Sequence, residues 1–407
     1  MHVAYIHQHF STTKGAMGTR SYEMSRRLLR AGHSVTMICG VSDVTASCFE
    51  VRGRVTEQEI DGIRVLCIAE PYANQMGFAR RILAFQRFAR TATELVKSSR
   101  ADLVFATSTP LTVGKPGMLG ARGLGVPFVF EVRDLWPELP IAMGIIRNPL
   151  LKWYTRRMER TYYRAARRII ALAPGIKEGI CKTGYPAEHV ALVPNAADLD
   201  LFQPDDAPLD DPRFGEAGDF RLIFTGAHGL ANGLDGVLDA AAELKRRGVK
   251  GVRFVFIGQG GQRERLMQRS AAEGLGEICL WHASVPKAEL ARILPRMDIG
   301  MMILKNIPAF YYGTSPNKFF DYIACGLPVL NNYPGWLAGL IREHGCGVVV
   351  PPDDAKAFAD AVLSLRARRC ELPAMGRAAR ALAEAQFSRD ALGSAFVATL
   401  EAAVARG

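Results

Sequence analysis

The chain lacks a cysteine framework. Its eight cysteines, at positions 39, 48, 67, 181, 279, 325, 346 and 370, are scattered, and no two form a CxxC pair. That spacing argues against a disulfide scaffold and against a thiolate zinc site, and it fits a reducing cytoplasm. Long apolar runs are also missing: no stretch of about 18 uncharged apolar residues exists, so a spanning helix is not expected. The N-terminus, MHVAYIHQHF, has no basic segment leading into an apolar run and a cleavage site. It reads as the first strand of a fold rather than a signal peptide. No short repeat or low-complexity tail is present.

Acidic residues are scarce in one half only. Residues 1–190 hold 27 Lys and Arg against 15 Asp and Glu, a net +12, whereas residues 191–407 hold 24 against 25. A basic half beside a neutral half points to an anionic partner such as phospholipid, a lipid diphosphate or nucleic acid, the alternative being a merely soluble basic surface. No recognised nucleic-acid-binding module accompanies the charge, so nucleic acid is not expected as a partner.

What is present is a repeated α/β pattern. HVAYIHQHF, a loop with Gly15 and Gly18, the amphipathic run RSYEMSRRLLRAG and the strand HSVTMIC form a βαβ unit. IRVLCIA, ADLVFAT and VPFVFEV follow as strands. After a Pro- and Asp-rich stretch, the pattern restarts with FRLIFTG, a glycine-bearing loop and LDGVLDAAAELKRRG, then VRFVFIG, ICLWHA, IGMMIL, LPVLNN and GVVV. Strands alternating with helices predict parallel sheets, hence two Rossmann-like domains. The expected division is 1–190, 191–385 and a C-terminal helix, 386–407, crossing back to the first domain, with a break at Phe387-Ser388. A chain of 407 residues comfortably makes two domains of about 200 residues.

Ligands of open α/β sheets bind at the carboxyl ends of strands, and four segments are expected there. The Gly15–Arg20 loop enters a helix N-terminus, a ready anion site or simply a tight turn. Its spacing is not GxGxxG, and Glu59 and Asp61 are badly placed for a nicotinamide ribose. FEVRDLWPELP brings Glu131, Arg133, Asp134 and Glu138 to a strand end. Arg133 suits a phosphate or carboxylate clamp, or else pairs with Asp to fasten the loop. FTGAHGLANGLDG offers Gly226, His228 and Asn232 between strand and helix, His228 being either a ligand contact or a surface loop residue. GTSPNKFFDYIACGLPVL fits a helix start with Ser315 as N-cap and Pro316 first in the helix. The amides of Asn317 and Lys318 are then free, with Lys318 as a point charge and Asp321 as a ribose contact. Thr314 adjoins them.

Together with FIGQGG and MGRAARALAEAQFSR, these segments make the chain resemble retaining glycosyltransferases of family 4, with the GT-B fold, over nearly its whole length. EVRDLWPE with SPNKFFDYIACGLPV is similar to a bacterial surface-polysaccharide branch that includes N-acetyl-fucosaminyl transferases. The resemblance implies a nucleotide-sugar donor, UDP-linked, on the C-terminal domain. It implies an acceptor on the N-terminal one, a cleft that closes between them, and no metal cofactor. It carries donor roles to Gly258, Gly260 and Lys305 as well as to the residues above, and places Arg133, Asp134, Glu131 and Lys318 at the chemistry. Departures are equally specific. Gly313 stands where many relatives carry Glu, Asp321 where they carry a second Glu, Ala227 and Asn232 where they carry Arg and Lys, and Arg133 where they carry His. Lys318, Arg133 and Lys305 would then supply the missing positive charge.

Residues 76–99 set Phe78, Ile82, Leu83, Phe85 and Phe88 among Arg80, Arg81, Arg87 and Arg90, as in a helix lying on a membrane; a core-facing helix with a solvated basic side is the alternative. KWYTRRMERTYYRAARR adds a second basic aromatic run. An undecaprenyl-diphosphate-linked glycan at the inner leaflet would be a fitting acceptor for a cytoplasmic, peripherally bound enzyme. A non-hydrolysing nucleotide-sugar 2-epimerase and a donor-binding scaffold without turnover are the rival readings.

Overall fold

The computed structural model describes residues 1–405 apart from 13–14, 16–17, 43–44, 46–47, 73–75, 206 and 208–210. The chain divides into two compact units. One comprises Met1–Pro194, Gly313–Ser315 and Asp390–Gly407; the other comprises Asn195–Tyr312 and Pro316–Arg389.

The first unit is built on eight strands: β1 (His2–Ile6), β2 (Ser34–Ser42), β3 (Val55–Ile60), β4 (Ile63–Tyr72), β5 (Leu103–Thr107), β6 (Phe128–Val132), β7 (Arg168–Ala171) and β8 (Val190–Leu192). Their order is β3-β4-β2-β1-β5-β6-β7-β8, parallel except for the β3–β4 pair. Every residue of β5 and β6 is buried, as befits strands covered on both faces. Among the described residues, the helices that connect them are α1 (Arg20–Arg30), α2 (Phe78–Ser98), α3 (Gly114–Leu124), α4 (Glu138–Ala142), α5 (Pro149–Ala165) and α6 (Pro174–Lys182).

The sequence pattern did not expose β3. It is an edge strand joined to β4 by Asp61 and Gly62, both at positive φ, the backbone a two-residue hairpin turn requires. Its half-exposed alternation, EQE between apolar ends, carries little hydrophobic signal.

The second unit has β9 (Phe220–Thr225), β10 (Val252–Ile257), β11 (Cys279–His282), β12 (Ile299–Met302), β13 (Val329–Asn331) and β14 (Gly347–Val349). All pair in parallel, in the order β11-β10-β9-β12-β13-β14. Its helices are α7 (Asp235–Arg246), α8 (Arg263–Ala272), α9 (Lys287–Ile293), α10 (Pro308–Tyr311), α11 (Asn317–Ala324), α12 (Trp336–His344), α13 (Ala355–Ala367) and α14 (Leu372–Gln386). Phe220, Leu222, Phe224, Phe254 and Phe256 form the centre of its core with Leu238 and Leu244 of α7.

The chain breaks at Phe387-Ser388, and the last helix, α15 (Arg389–Val404), serves the first unit from Asp390 onward. Phe396 packs edge-on to Phe105 at 5.1 Å and stacks on Tyr5. Asp390 pairs with Arg27, and Glu401 lies 3.0 Å from His33. Two Rossmann-like domains and a returning C-terminal helix are therefore the architecture.

Candidate functional site

In the second unit, the strand ends are assembled by glycines. Gly300 on β12 leaves room for the Tyr322 ring: a Cβ there would stand 2.6 Å from it. Tyr322 accepts a hydrogen bond from the Thr225 amide at 3.0 Å and so ties α11 to the end of β9. One helical turn earlier on the same face, this places Lys318. Its Nζ lies 3.6 Å from the Phe224 ring centroid and donates to Asn232 Oδ1 at 3.3 Å. Gly226, at φ +116°, has Lys318 3.5 Å from where its Cβ would be. Asn232 is itself fixed by donating to the Ala227 carbonyl at 2.6 Å. No carboxylate lies within ion-pair distance of Lys318 among the described residues, and desolvation pulls its ammonium down to about 7.

The loops after β9 and β10 meet main chain to main chain. A Cβ on Gly258 would stand 1.9 Å from the Gly226 carbonyl oxygen, and one on Gly260 would be 2.5 Å from that of His228. The His228 amide donates to Gln259 O, and its carbonyl accepts from the Gln262 amide. These glycines therefore let one loop lie on the other; their expected donor role is indirect. His228 is 0% exposed, neither a surface residue nor open to the strand ends. Its ring sits among Phe224, Phe256 and Trp281, and burial, with Arg263 and Lys318 near, lowers it to about 4.

Beside that ring lie two groups that sequence reasoning missed: Trp281, 5.6 Å away, and Arg263, which acts on it electrostatically. Both His228 nitrogens, Arg263 Nε, Trp281 Nε1 and, in the next residue of the strand, His282 Nε2 are buried and have no hydrogen-bond partner among the described residues. Arg263 opens α8 and also forms no ion pair there. The only sequence signal was the Trp-His pair ending a strand.

Other expected contacts lie elsewhere. α11 begins at Asn317 with Pro316 in the capping position, so the expected Ser315 cap is one residue out of register. Thr314 and Ser315 group with the first unit, and Ser315 is buried. Asn317 is exposed. Asp321 is buried, with Lys287 Nζ 3.6 Å away. Burial raises its carboxyl, while Lys287, the Asp198 carboxylate and Arg389 act on it more weakly. The partner the structure gives Asp321 is therefore Lys287, not a residue of the loop after β9. Lys305 is exposed; it is its backbone that is held, by the Ala231 carbonyl and by Gly233, whose Cβ would meet Lys305 Cα at 2.8 Å.

In the first unit, the ends of β1, β5 and β6 converge. Glu131 does not fit the catalytic role expected of it. It is fully buried and accepts from Arg20 Nη2 at 2.7 Å, Arg20 Nε at 3.1 Å and Thr107 Oγ1 at 2.7 Å. Burial alone would raise this carboxyl, but Arg20 and its hydrogen bonds hold it below the usual value. Arg20 also reaches the Val193 and Pro194 carbonyls, so the pair fastens the sheet.

Arg133, directly after β6, donates to His7 Nε2 at 3.1 Å and lies 3.9 Å from Glu131. Burial, followed by Arg133, lowers His9 to about 4. Asp134 is raised by burial despite Arg133 and a hydrogen bond from Thr109. Gly15 is half-buried and Gly18 exposed. A Cβ on Gly15 would collide with Ser11 Oγ, so close packing explains this glycine; the residues between the two lie outside the described ones.

The expected membrane helix, α2, turns Ala84, Phe88, Ala89 and Val96 inward, which removes Phe88 from any lipid face. Arg80 and Arg87 are exposed, the latter 3.4 Å from Glu70. Arg81 and Phe85 are half-buried, and the Phe78 side chain is outside the described residues. Among the described residues, no helix is long and apolar enough to cross a membrane.

Comparison with known proteins bears on both units. Residues 15–196 match the family described as a glycosyl transferase 4-like domain, and residues 219–368 match glycosyl transferases group 1. A probable glycosyltransferase, WbjE, of Pseudomonas aeruginosa is 22% identical over 334 residues, covering 79% of this chain and 80% of that protein. The fold is shared with sucrose-phosphate synthase from Thermosynechococcus elongatus, at TM-score 0.76 and 17% identity over 97% of this chain and 96% of that one. It is also shared with Anabaena Alr3699/HepE in complex with UDP-glucose, at TM-score 0.72 and 16% identity over 99% and 100%.

Proposed function

With both halves of the chain matched by glycosyltransferase domains, this protein is a glycosyltransferase, and we propose that it moves a sugar from a UDP-linked donor to a lipid-linked glycan acceptor, with retention, in the assembly of a bacterial surface polysaccharide. The observation that carries the donor half is the pair of unneutralised cations at the strand ends of the second unit. Most arginines of that unit are matched to carboxylates, as Arg253 is to Asp219 and Arg269 to Asp235 and Asp239. Lys318 and Arg263 are not, and both act electrostatically on His228. A desolvated cation without a counter-ion is costly in the free protein and is repaid when an anion arrives. A nucleoside diphosphate is the anion this fold family offers, and UDP-glucose is what the HepE structure holds.

In this reading Lys318 and Arg263 stabilise the diphosphate without a metal. In this reading the nucleoside would lie toward Trp281 and His282, whose buried ring nitrogens Nε1 and Nε2 have no partner among the described residues. During transfer the anomeric C1–O bond to the β-phosphate breaks. An acceptor oxygen bonds to C1 on the same face, and its proton passes to the departing phosphate oxygen. An N-acetylated deoxy-hexosamine is the sugar favoured by the EVRDLWPE and SPNK segments. An undecaprenyl-diphosphate-linked acceptor at the inner leaflet suits the +12 charge of residues 1–190. Arg133 is the first-unit cation that would hold an anionic group in this reading. The epimerase reading loses one of its acid/base carboxylates, because Glu131 is occupied by Arg20.

The test is a thermal-shift series with UDP, GDP, ADP and UDP-sugars, followed by UDP release in the presence of lipid-linked glycans. A shift with UDP compounds, and release that requires acceptor, is expected. Binding without turnover would leave only a scaffold, and no nucleotide shift would refute the donor assignment.

A further inference from the structure

Helix α5 has an outward face unlike that of a solvated helix. Its inner side is filled by Glu159, Tyr162 and Tyr163. Its outer side opens with Leu150, Trp153 and Tyr154, which are 77%, 63% and 54% exposed, and Ile145 in the preceding turn is 62% exposed. The helix is started firmly: Asn148 Oδ1 accepts from the Leu150 and Leu151 amides, and Pro149 occupies the first turn. The apolar group is therefore held in place rather than frayed.

Beyond it, Lys152, Arg156, Arg157, Arg160 and Arg164 line one open groove around Trp153. Among the described residues, only Arg156 of these five has a carboxylate within ion-pair distance, Glu138 at 3.3 Å. The one carboxyl on the helix, Glu159, faces inward, and burial pushes it up to about 7. Large apolar side chains at one end of a helix and a block of uncompensated cations along the rest match the two layers of an anionic bilayer surface. A nucleic acid would engage the charges and leave Ile145 and Leu150 in water.

We propose that α5 with the turn before it is the surface by which this protein docks on anionic phospholipid, Ile145, Leu150 and Trp153 entering the headgroup layer and the arginines taking phosphate oxygens. The proposal rests on the reading of a membrane-bound acceptor and moves the contact from α2 to α5.

The full chain is sedimented with phosphatidylcholine vesicles, with and without phosphatidylglycerol, and compared with an R157E/R160E double variant. Intrinsic fluorescence with brominated phosphatidylglycerol is read for wild type and W153F. We expect pelleting only with phosphatidylglycerol, a loss of more than about tenfold in partition for the double variant, and quenching that W153F abolishes. A UDP thermal shift on each variant reports folding and the donor site separately. Wild type remaining in the supernatant, a double variant that pellets equally, tighter binding to an RNA oligonucleotide than to vesicles, or an unquenched Trp153 would each overturn the proposal. If the double variant does not fold, the quenching measurement on the native chain decides. Vesicle binding without any UDP shift would instead refute the donor assignment and leave the docking surface standing.

Discussion

Replacing Lys318 by Met should make the free protein more stable and the donor bind worse. The ammonium lies over the Phe224 ring with one amide oxygen as partner, and its pKa is drawn from 10.5 to about 7. At about 1.36 kcal/mol per unit, holding this group in the fold at neutral pH costs up to about 4 kcal/mol. Solvent and relaxation will reduce that figure, and even half of it would raise Tm by several degrees, at roughly 2–4 °C per kcal/mol for a domain of this size. The same substitution would delete the charged hydrogen bond proposed to the diphosphate, worth about 1.5–3 kcal/mol, or on the order of 10- to 100-fold in Kd. Differential scanning calorimetry and UDP-glucose titration calorimetry on one preparation read both. A lower Tm with unchanged Kd would refute the argument, because it would make Lys318 a structural residue like its neighbours.

The same lysine sets a pH dependence. Its folded pKa lies below its unfolded one, so its penalty is full below about 7 and is relieved as pH rises toward 10.5; apo stability should rise over that window, and K318M should flatten the rise. UDP-glucose affinity should be level below about 7 and weaken above it, as a proton must be taken up to charge the lysine; an affinity flat through pH 9 would contradict this. Glu131→Gln leaves Arg20 buried without its counter-charge and should cost about 3–5 kcal/mol by denaturant titration, with UDP affinity in the surviving folded fraction unchanged. Gly258→Ala must displace the Gly226 carbonyl; loss of both stability and UDP affinity is expected, and a neutral variant would show that the two loops part freely.

Local pattern revealed much of this molecule. The buried strands are continuous apolar runs because both sheet faces are covered, and the break at Phe387-Ser388 interrupts a clear helical period. The glycine loops and Lys318 stood out because strand–loop–helix junctions are punctuated by residue types with few other uses. What stayed hidden depends on partners far along the chain. Nothing near Glu131 announces Arg20, 111 positions away, and without that partner a carboxylate at a strand end reads as catalytic. His228 looked available because GAHGLANG is polar, yet the loop after β10 closes over it. Asp321 reads as a ligand contact from its helix alone, whereas burial, then Lys287, Asp198 and Arg389, set its surroundings. Arg263 carried no motif at all; only the lack of a carboxylate beside it, visible in three dimensions, marks it out.

The backbone contact between the loops after β9 and β10 also limits how this enzyme can change. A surface written in main-chain atoms offers selection no side chains to vary, so Gly226, Gly258 and Gly260 form a fixed platform that, on the proposed donor reading, would serve many donors. On the proposed donor reading, preference among sugars would be adjusted at its margins, where Ala227 and Lys305 carry replaceable side chains. A library confined to those two positions would search donor choice while leaving in place the Asn232 amide that holds the loop and Lys318.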